Sequence, residues 1–147
     1  MRYSDKKRWV DFITSGNSAN FYAVLKKFYE DLKAEWILQG NLVEDFKDKR
    51  CKFVIILDNA SFHKKAETLQ KIASEMPNII IEFLPKYSPD YNLVELVWHS
   101  AKEYVANRLF ESIEKLELVL HKLLNEGGLI MKWNRKIKKK GNLVNAV

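Results

Sequence analysis

Asp58 and Glu95 are the residues in this chain best placed by type and context to do chemistry. Asp58 ends the run Phe53-Val54-Ile55-Ile56-Leu57-Asp58 and is followed by Asn59-Ala60-Ser61-Phe62-His63. Apolar residues running straight into an acid read as a buried strand that carries a carboxylate to the carboxyl edge of a sheet. Ligands and metals gather at such edges in α/β folds. Glu95 follows in Leu84-Pro85-Lys86-Tyr87-Ser88-Pro89-Asp90-Tyr91-Asn92-Leu93-Val94-Glu95-Leu96-Val97-Trp98. Two carboxylates on adjacent elements, in a chain with a basic end, suggest metal-dependent chemistry on a polyanion.

Each acid also has a plainer explanation. A desolvated carboxylate is unfavourable unless a cation or hydrogen bonds compensate it. Asp58 can meet that need by capping the turn through Asn59 and Ser61. Asn92 and Glu95 have the spacing of a capping box, in which Glu95 bonds back to the Asn92 amide. At about 100° per residue, Leu93, Val97, Ala101 and Tyr104 lie opposite Glu95. His99, Lys102 and Ala106 share its side, with Trp98 at the flank, so Glu95 points off the core toward a metal or toward water. His63, His99 and His121 have no zinc-ligand spacing. Lys64 and Lys65 can face phosphates, although exposed lysines on helices are routine.

The elements that must position these residues follow from periodicity. Trp9-Val10-Asp11-Phe12-Ile13-Thr14 predicts a strand ended by Gly16. Ser18 or Asn20 caps a helix with the stripe Phe21, Val24, Leu25, Phe28, Leu32 and Trp36, closed by Gly40-Asn41. Residues 41–51 read as an irregular connection before the buried strand. Ser61 caps a helix carrying Ala66, Leu69, Ile72, Ala73 and Met76, which Pro77-Asn78 stops. Ile79-Ile80-Ile81-Glu82-Phe83 is a second buried strand, and the loop with Pro85 and Pro89 follows. A helix over about Asn92 to Asn107 comes next. Another starts at Ser112, with Ile113, Leu116, Leu120, Leu123 and Leu124 inward, and ends at Gly127-Gly128. The alternation predicts an α/β domain with helices on a sheet and no clear internal boundary.

Bulk properties narrow the class further. A length of 147 residues suits one domain with a substantial core, and 47% hydrophobic with 30% charged residues is ordinary for a globular protein. No apolar run reaches the ~20 residues of a membrane span, and Met1-Arg2-Tyr3-Ser4-Asp5-Lys6-Lys7-Arg8 does not read as a leader. The single Cys51 excludes an internal disulfide and a cysteine-rich zinc site. A reducing cytoplasm is the expected compartment. The net charge of +6 is carried by the end of the chain, where residues 127–147 hold Lys132, Arg135, Lys136, Lys138, Lys139 and Lys140 and no acid. Such a run attracts phosphate backbones, or is simply a solvated end.

Taken together, these motifs resemble a known family. Asp58-Asn59-Ala60 with His63 resembles the middle acidic motif of mariner-type insertion-sequence transposases. Leu84-Pro85-Lys86-Tyr87-Ser88-Pro89 followed by Asn92, Glu95, Trp98 and Lys102 resembles their last acidic motif. The 36 residues between Asp58 and Glu95 are close to the family's gap. The close match covers roughly residues 53–105, and residues 8–38 fit the preceding strand and helix more loosely.

The resemblance implies an RNase H-like sheet with flanking helices. It also implies a triad of two Asp and one Glu, with Asp58 in the middle place and Glu95 in the last. In that family the acids bind two divalent ions, Mg²⁺ or Mn²⁺, which cut transposon ends and join them to target DNA. Asn59, His63 and Asn92 are then expected to support the acids or touch DNA, Lys102 to contact phosphate, and the tail from Lys132 to Lys140 to bind DNA. Residues 1–130 read as a partial catalytic domain and 131–147 as a basic tail.

The resemblance departs at the first Asp of the triad. Only Asp5 and Asp11 precede the first helix, and neither stands in a matching motif. The chain therefore reads as the C-terminal part of a transposase, incomplete at its N-terminus, from a truncated gene, a split reading frame or a degenerate copy, with little activity alone. A partner chain supplying the N-terminal part, a homodimer and association with the nucleoid are the corresponding expectations. Two other functions stay open: a non-catalytic DNA-binding remnant, and an α/β regulatory module with a lone Asp site.

Overall fold

A computed structural model describes residues 1–2, 7–50, 52–86, 92, 94–129, 137–139 and 142–144. Asp5, Cys51, Leu93, residues 87–91 and, of the basic end, Lys132, Arg135, Lys136 and Lys140 lie outside the described residues. The chain divides into two compact units, Ile13–Tyr87 on one side and Met1–Phe12 with Ser88–Val147 on the other.

The Ile13–Tyr87 unit contains α1 (Ser18–Leu38), α2 (Phe46–Lys49), β1 (Phe53–Leu57), a 3₁₀ turn (Ser61–His63), α3 (Ala66–Glu75) and β2 (Ile79–Phe83). The strands pair in parallel, from Phe53 opposite Ile79 to Leu57 opposite Phe83. Parallel neighbours need a crossover, and α3 supplies it. Asn17, rather than Ser18 or Asn20, caps α1: it is extended and its side chain accepts the Asn20 N–H. The Ser18 hydroxyl instead donates to the Phe62 carbonyl, 2.9 Å away. Gly40, at φ +84°, turns the chain after α1 in a conformation that favours glycine. Ser61 opens the 3₁₀ turn, and α3 begins only at Ala66.

The core of this unit joins Leu25, Tyr29 and Leu32 of α1 to Phe46, Ile72, Met76 and Ile79, with Phe53, Ile55 and Ile81 packed on them. Residues 41–51, expected to be irregular, contain α2 because Phe46 is buried against Tyr29 and Trp36. Neither strand is buried on both faces. Val54 and Ile56 are 58% and 64% exposed, and Ile80 is also exposed. Side chains alternate along a strand, and the core occupies one face of this pair, so every second apolar residue faces away from it.

Asn78 is the buried polar residue of this unit among the described residues. It accepts from the Tyr29 hydroxyl at 2.9 Å, and its Nδ2 donates toward the carbonyls of Phe46, Lys47 and Arg50 at 3.1, 3.3 and 3.2 Å. Its own carbonyl accepts the Phe53 N–H at 2.7 Å. Asn78 thus ties α1, α2 and the amino ends of both strands together.

The other unit contains α4 (Val94–Val105), α5 (Ile113–Asn125) and the antiparallel pair β3 (Ile137–Lys139) and β4 (Asn142–Val144). Val97, Ala101, Leu123, Leu124 and Leu129 form its core, with Val10, Val119 and Leu120 against them. Ser112 caps α5 by accepting the Lys115 N–H. Gly127 follows α5 at φ +79°. Ile113, expected inward, is exposed on the first turn. The strand expected over residues 9–14 is not formed. A strand needs a ladder, and the side-chain amide of Asn125 takes that place instead. It accepts the Val10 N–H at 2.7 Å and donates to the Val10 carbonyl at 2.9 Å. Among the described residues, no helix is long and apolar enough to cross a membrane.

Candidate active site

Asp58 leaves β1 at its carboxyl end, as the sequence predicts, with a side chain that is 59% exposed. Its Oδ1 accepts the Ala60 N–H at 3.1 Å, the geometry of an Asx turn. The same oxygen lies 2.8 Å from Nδ1 of His63. That nitrogen is buried and out of line for a hydrogen bond, so the contact is one of proximity. The turn-capping role weighed from the sequence is therefore real, and it uses one oxygen only. Oδ2 has no partner among the described residues and, on this exposed side chain, is a hard donor suited to a divalent cation.

The start of α1 fixes the loop that carries this acid. The His63 ring packs on Phe21 and Phe62, with ring centres 4.6 and 4.2 Å apart. Phe62 lies so close to Gly16 that a Cβ there would meet the ring edge at 3.3 Å. Ser18 anchors the Phe62 carbonyl from the same end of the helix. Sequence reasoning missed Gly16, Ser18, Phe21 and Phe62 as the residues that seat His63 beside Asp58. The available signal was a glycine placed directly before a helix cap.

Asn59 joins the ends of the two strands. Its Nδ2 donates to the Leu84 carbonyl at 2.6 Å, just beyond β2, and its Oδ1 accepts from the Lys64 ammonium. The ammonium also sits 5.2 Å from the centre of the Phe83 ring. The seven residues Asp58 to Lys64 thus hold a carboxylate, an amide latch, an imidazole and an anchored cation at one sheet edge.

Glu95 belongs to the other unit, in the first turn of α4. Leu96, Val97 and Ala101 form the buried side of this helix, and Glu95 is exposed, as its expected angular position requires. Asn92 precedes the helix, and its carbonyl accepts the Glu95 N–H at 3.0 Å. The Glu95 carboxylate has no hydrogen bond or ion pair among the described residues. Lys102 is exposed two turns further along, and Trp98 is also exposed. His99 pairs with Glu103 at 3.5 Å. Of the basic tail, Lys138 and Lys139 fall on β3.

Asp58 through Oδ2, and Glu95 in its own unit, each offer carboxylate oxygen of the kind that suits a divalent cation. Among the described residues, no three His, Cys, Asp or Glu side chains gather as a metal-holding group.

The fold and this edge define an α/β domain that presents a carboxylate beyond the end of a parallel strand. The family described as DDE superfamily endonuclease matches residues 1–117, and the chain belongs to it. Its mixed α/β arrangement is consistent with the RNase H-like domain of these endonucleases. They generally use divalent metals such as Mg²⁺, and the family implies a DNA substrate. No curated protein and no solved structure matches the chain.

Proposed function

We propose that this chain carries part of the catalytic machinery of a mariner-type transposase, with Asp58 and Glu95 as two of its metal-binding acids. The observation that carries the reading is the Asp58 carboxylate at the end of β1, with Oδ2 left without a partner among the described residues. Family membership supports it. Oδ1, held by the Ala60 N–H, sets the orientation of the carboxylate. His63, wedged between Phe21 and Phe62, closes one side of it. Glu95, projecting from the first turn of α4, offers the second carboxylate. Each carboxylate offers oxygen that suits Mg²⁺, which would supply charge stabilisation and an activated oxygen nucleophile for phosphodiester cleavage.

Two acids make a weaker site than three, and no acid upstream of Asp58 stands in a matching motif. This polypeptide alone is therefore expected to bind Mn²⁺ weakly and to show little strand transfer. Calorimetric titration of Mn²⁺ into the full chain tests the reading. Asp58→Asn and Glu95→Gln should each remove the binding. Binding indifferent to both changes would overturn the assignment, and vigorous Mg²⁺-dependent cleavage of transposon-end DNA would overturn the expectation of low activity.

The basic run after residue 127 supports a second reading, DNA binding without catalysis. Salt-dependent DNA binding that survives Asp58→Ala with Glu95→Ala, in a chain that binds no metal, would favour it.

A further inference from the structure

We infer that Lys64 is a phosphate-contacting residue of the Asp58 edge, held in place by Asn59 and Phe83. The inference rests on the reading of Asp58 as part of a DNA-processing site.

Most exposed lysines sweep a wide volume, because the four-carbon stem is flexible and the ammonium is strongly hydrated. Lys64 is exposed but confined. Its ammonium donates to Asn59 Oδ1 and lies over the face of Phe83. Asn59 is itself fixed, because its Nδ2 donates to the Leu84 carbonyl at 2.6 Å. That bond decides which way the amide faces, so Oδ1 and not Nδ2 meets the lysine. The Lys64 N–H donates to the Ser61 carbonyl, which ties the base of the side chain to the 3₁₀ turn. The result is a cation with a set position in the same loop as Asp58.

An ammonium has three donors, and Asn59 accepts one of them. The other two are available to the non-bridging oxygens of a phosphate. A DNA strand brought to a metal on Asp58 must pass its backbone along the loop Asp58–Lys64, in which a fixed cation offsets the charge of a phosphate. Confinement also lowers the ordering entropy of making the contact. Asn59 is then a positioning residue that acts through Lys64, rather than a group that touches the metal or DNA.

The test is DNA binding by the full chain, measured as fluorescence anisotropy of a labelled duplex across a salt series. Lys64→Gln keeps a polar side chain of similar length and removes the charge. It should weaken binding about tenfold at low salt and lower the slope of log K against log salt by about 0.9. Lys64→Arg should restore the slope. Lys33→Gln, on the later half of α1 beside Tyr29 and Glu30, should leave the slope unchanged. Amine acetylation of Lys64, read by mass spectrometry, should fall when DNA is bound. A merely structural role for Lys64 would change neither the slope nor the protection.

An unchanged slope in Lys64→Gln, or Lys64 acetylation indifferent to DNA, overturns the inference. If Asp58→Asn still abolishes Mn²⁺ binding in that case, the metal reading stands and only the lysine assignment falls. If the slope shifts as expected while Asp58→Asn leaves Mn²⁺ binding intact, the lysine contact stands and the metal reading falls. A wild-type chain that does not bind DNA overturns the inference outright.

Discussion

Replacing Asn78 by Ala removes the polar hub beneath the amino ends of β1 and β2, and the structure sets the size of the loss. Asn78 is 1% exposed and makes four side-chain contacts. The Tyr29 hydroxyl, buried with it, loses its acceptor. The carbonyls of Phe46, Lys47 and Arg50 lose two N–H groups that they share. An orphaned buried group costs about 1–3 kcal/mol and each net hydrogen bond contributes about 1 kcal/mol. A water entering the space left by the amide would recover part of this, since the site is polar. The expected net loss is about 3 kcal/mol. Urea unfolding of the full chain, followed by the fluorescence of Trp36 with the other tryptophans replaced by Phe, measures it as a lower midpoint at unchanged slope. Tyr29→Phe should lose about 1 kcal/mol alone. In the double variant the two losses should fall short of additivity by about 1 kcal/mol, because both break the same bond. A loss under about 1 kcal/mol for Asn78→Ala, or strict additivity, would show that Asn78 does not organise this end of the sheet.

Two further outcomes rest on the same unit. Burial, with the nearby Glu30 charge, raises the Tyr29 hydroxyl above its ordinary pKa of 10.0. The protonated form is therefore favoured by folding. Its contribution is complete below pH 10.0 and disappears as pH rises through the higher folded value. The alkaline fall in melting temperature should be shallower in Tyr29→Phe, and an identical fall in both proteins would refute it. Val54→Thr with Ile56→Thr changes only the exposed face of β1 while keeping β-branched residues. Stability should change by less than about 0.5 kcal/mol for each substitution and solubility should rise. A large loss in thermal melting would show that this face is packed.

Much of the scaffold was legible because periodicity and punctuation are local. The strands at Phe53–Leu57 and Ile79–Phe83, the stop after Met76 and the Ser112 cap follow from residue types within a few positions of each other. Where local reading failed, a distant residue had intervened. Trp9 to Thr14 has the composition of a strand, but the Asn125 amide, more than a hundred residues away, occupies the Val10 backbone. Within the charged connection at 41–51, Phe46–Lys49 is helical because Phe46 packs on Tyr29 and its carbonyl meets Asn78. The run through β1 looked buried throughout, yet a two-stranded pair with its core on one face can cover only alternate side chains.

The candidate site divides in the same way. Asp58 at a strand end and Glu95 off the apolar side of a helix could be placed from spacing, because strand and helix periods determine where such positions point. The order of the two acidic motifs was likewise written in the chain. Only tertiary structure decided that Gly16 admits Phe62, that Phe62 and Phe21 enclose His63, and that Asn59 reaches Leu84 while holding Lys64. The physical reason is that side-chain packing and amide orientation depend on atoms brought close by folding, whereas the period of an element depends on its own backbone alone.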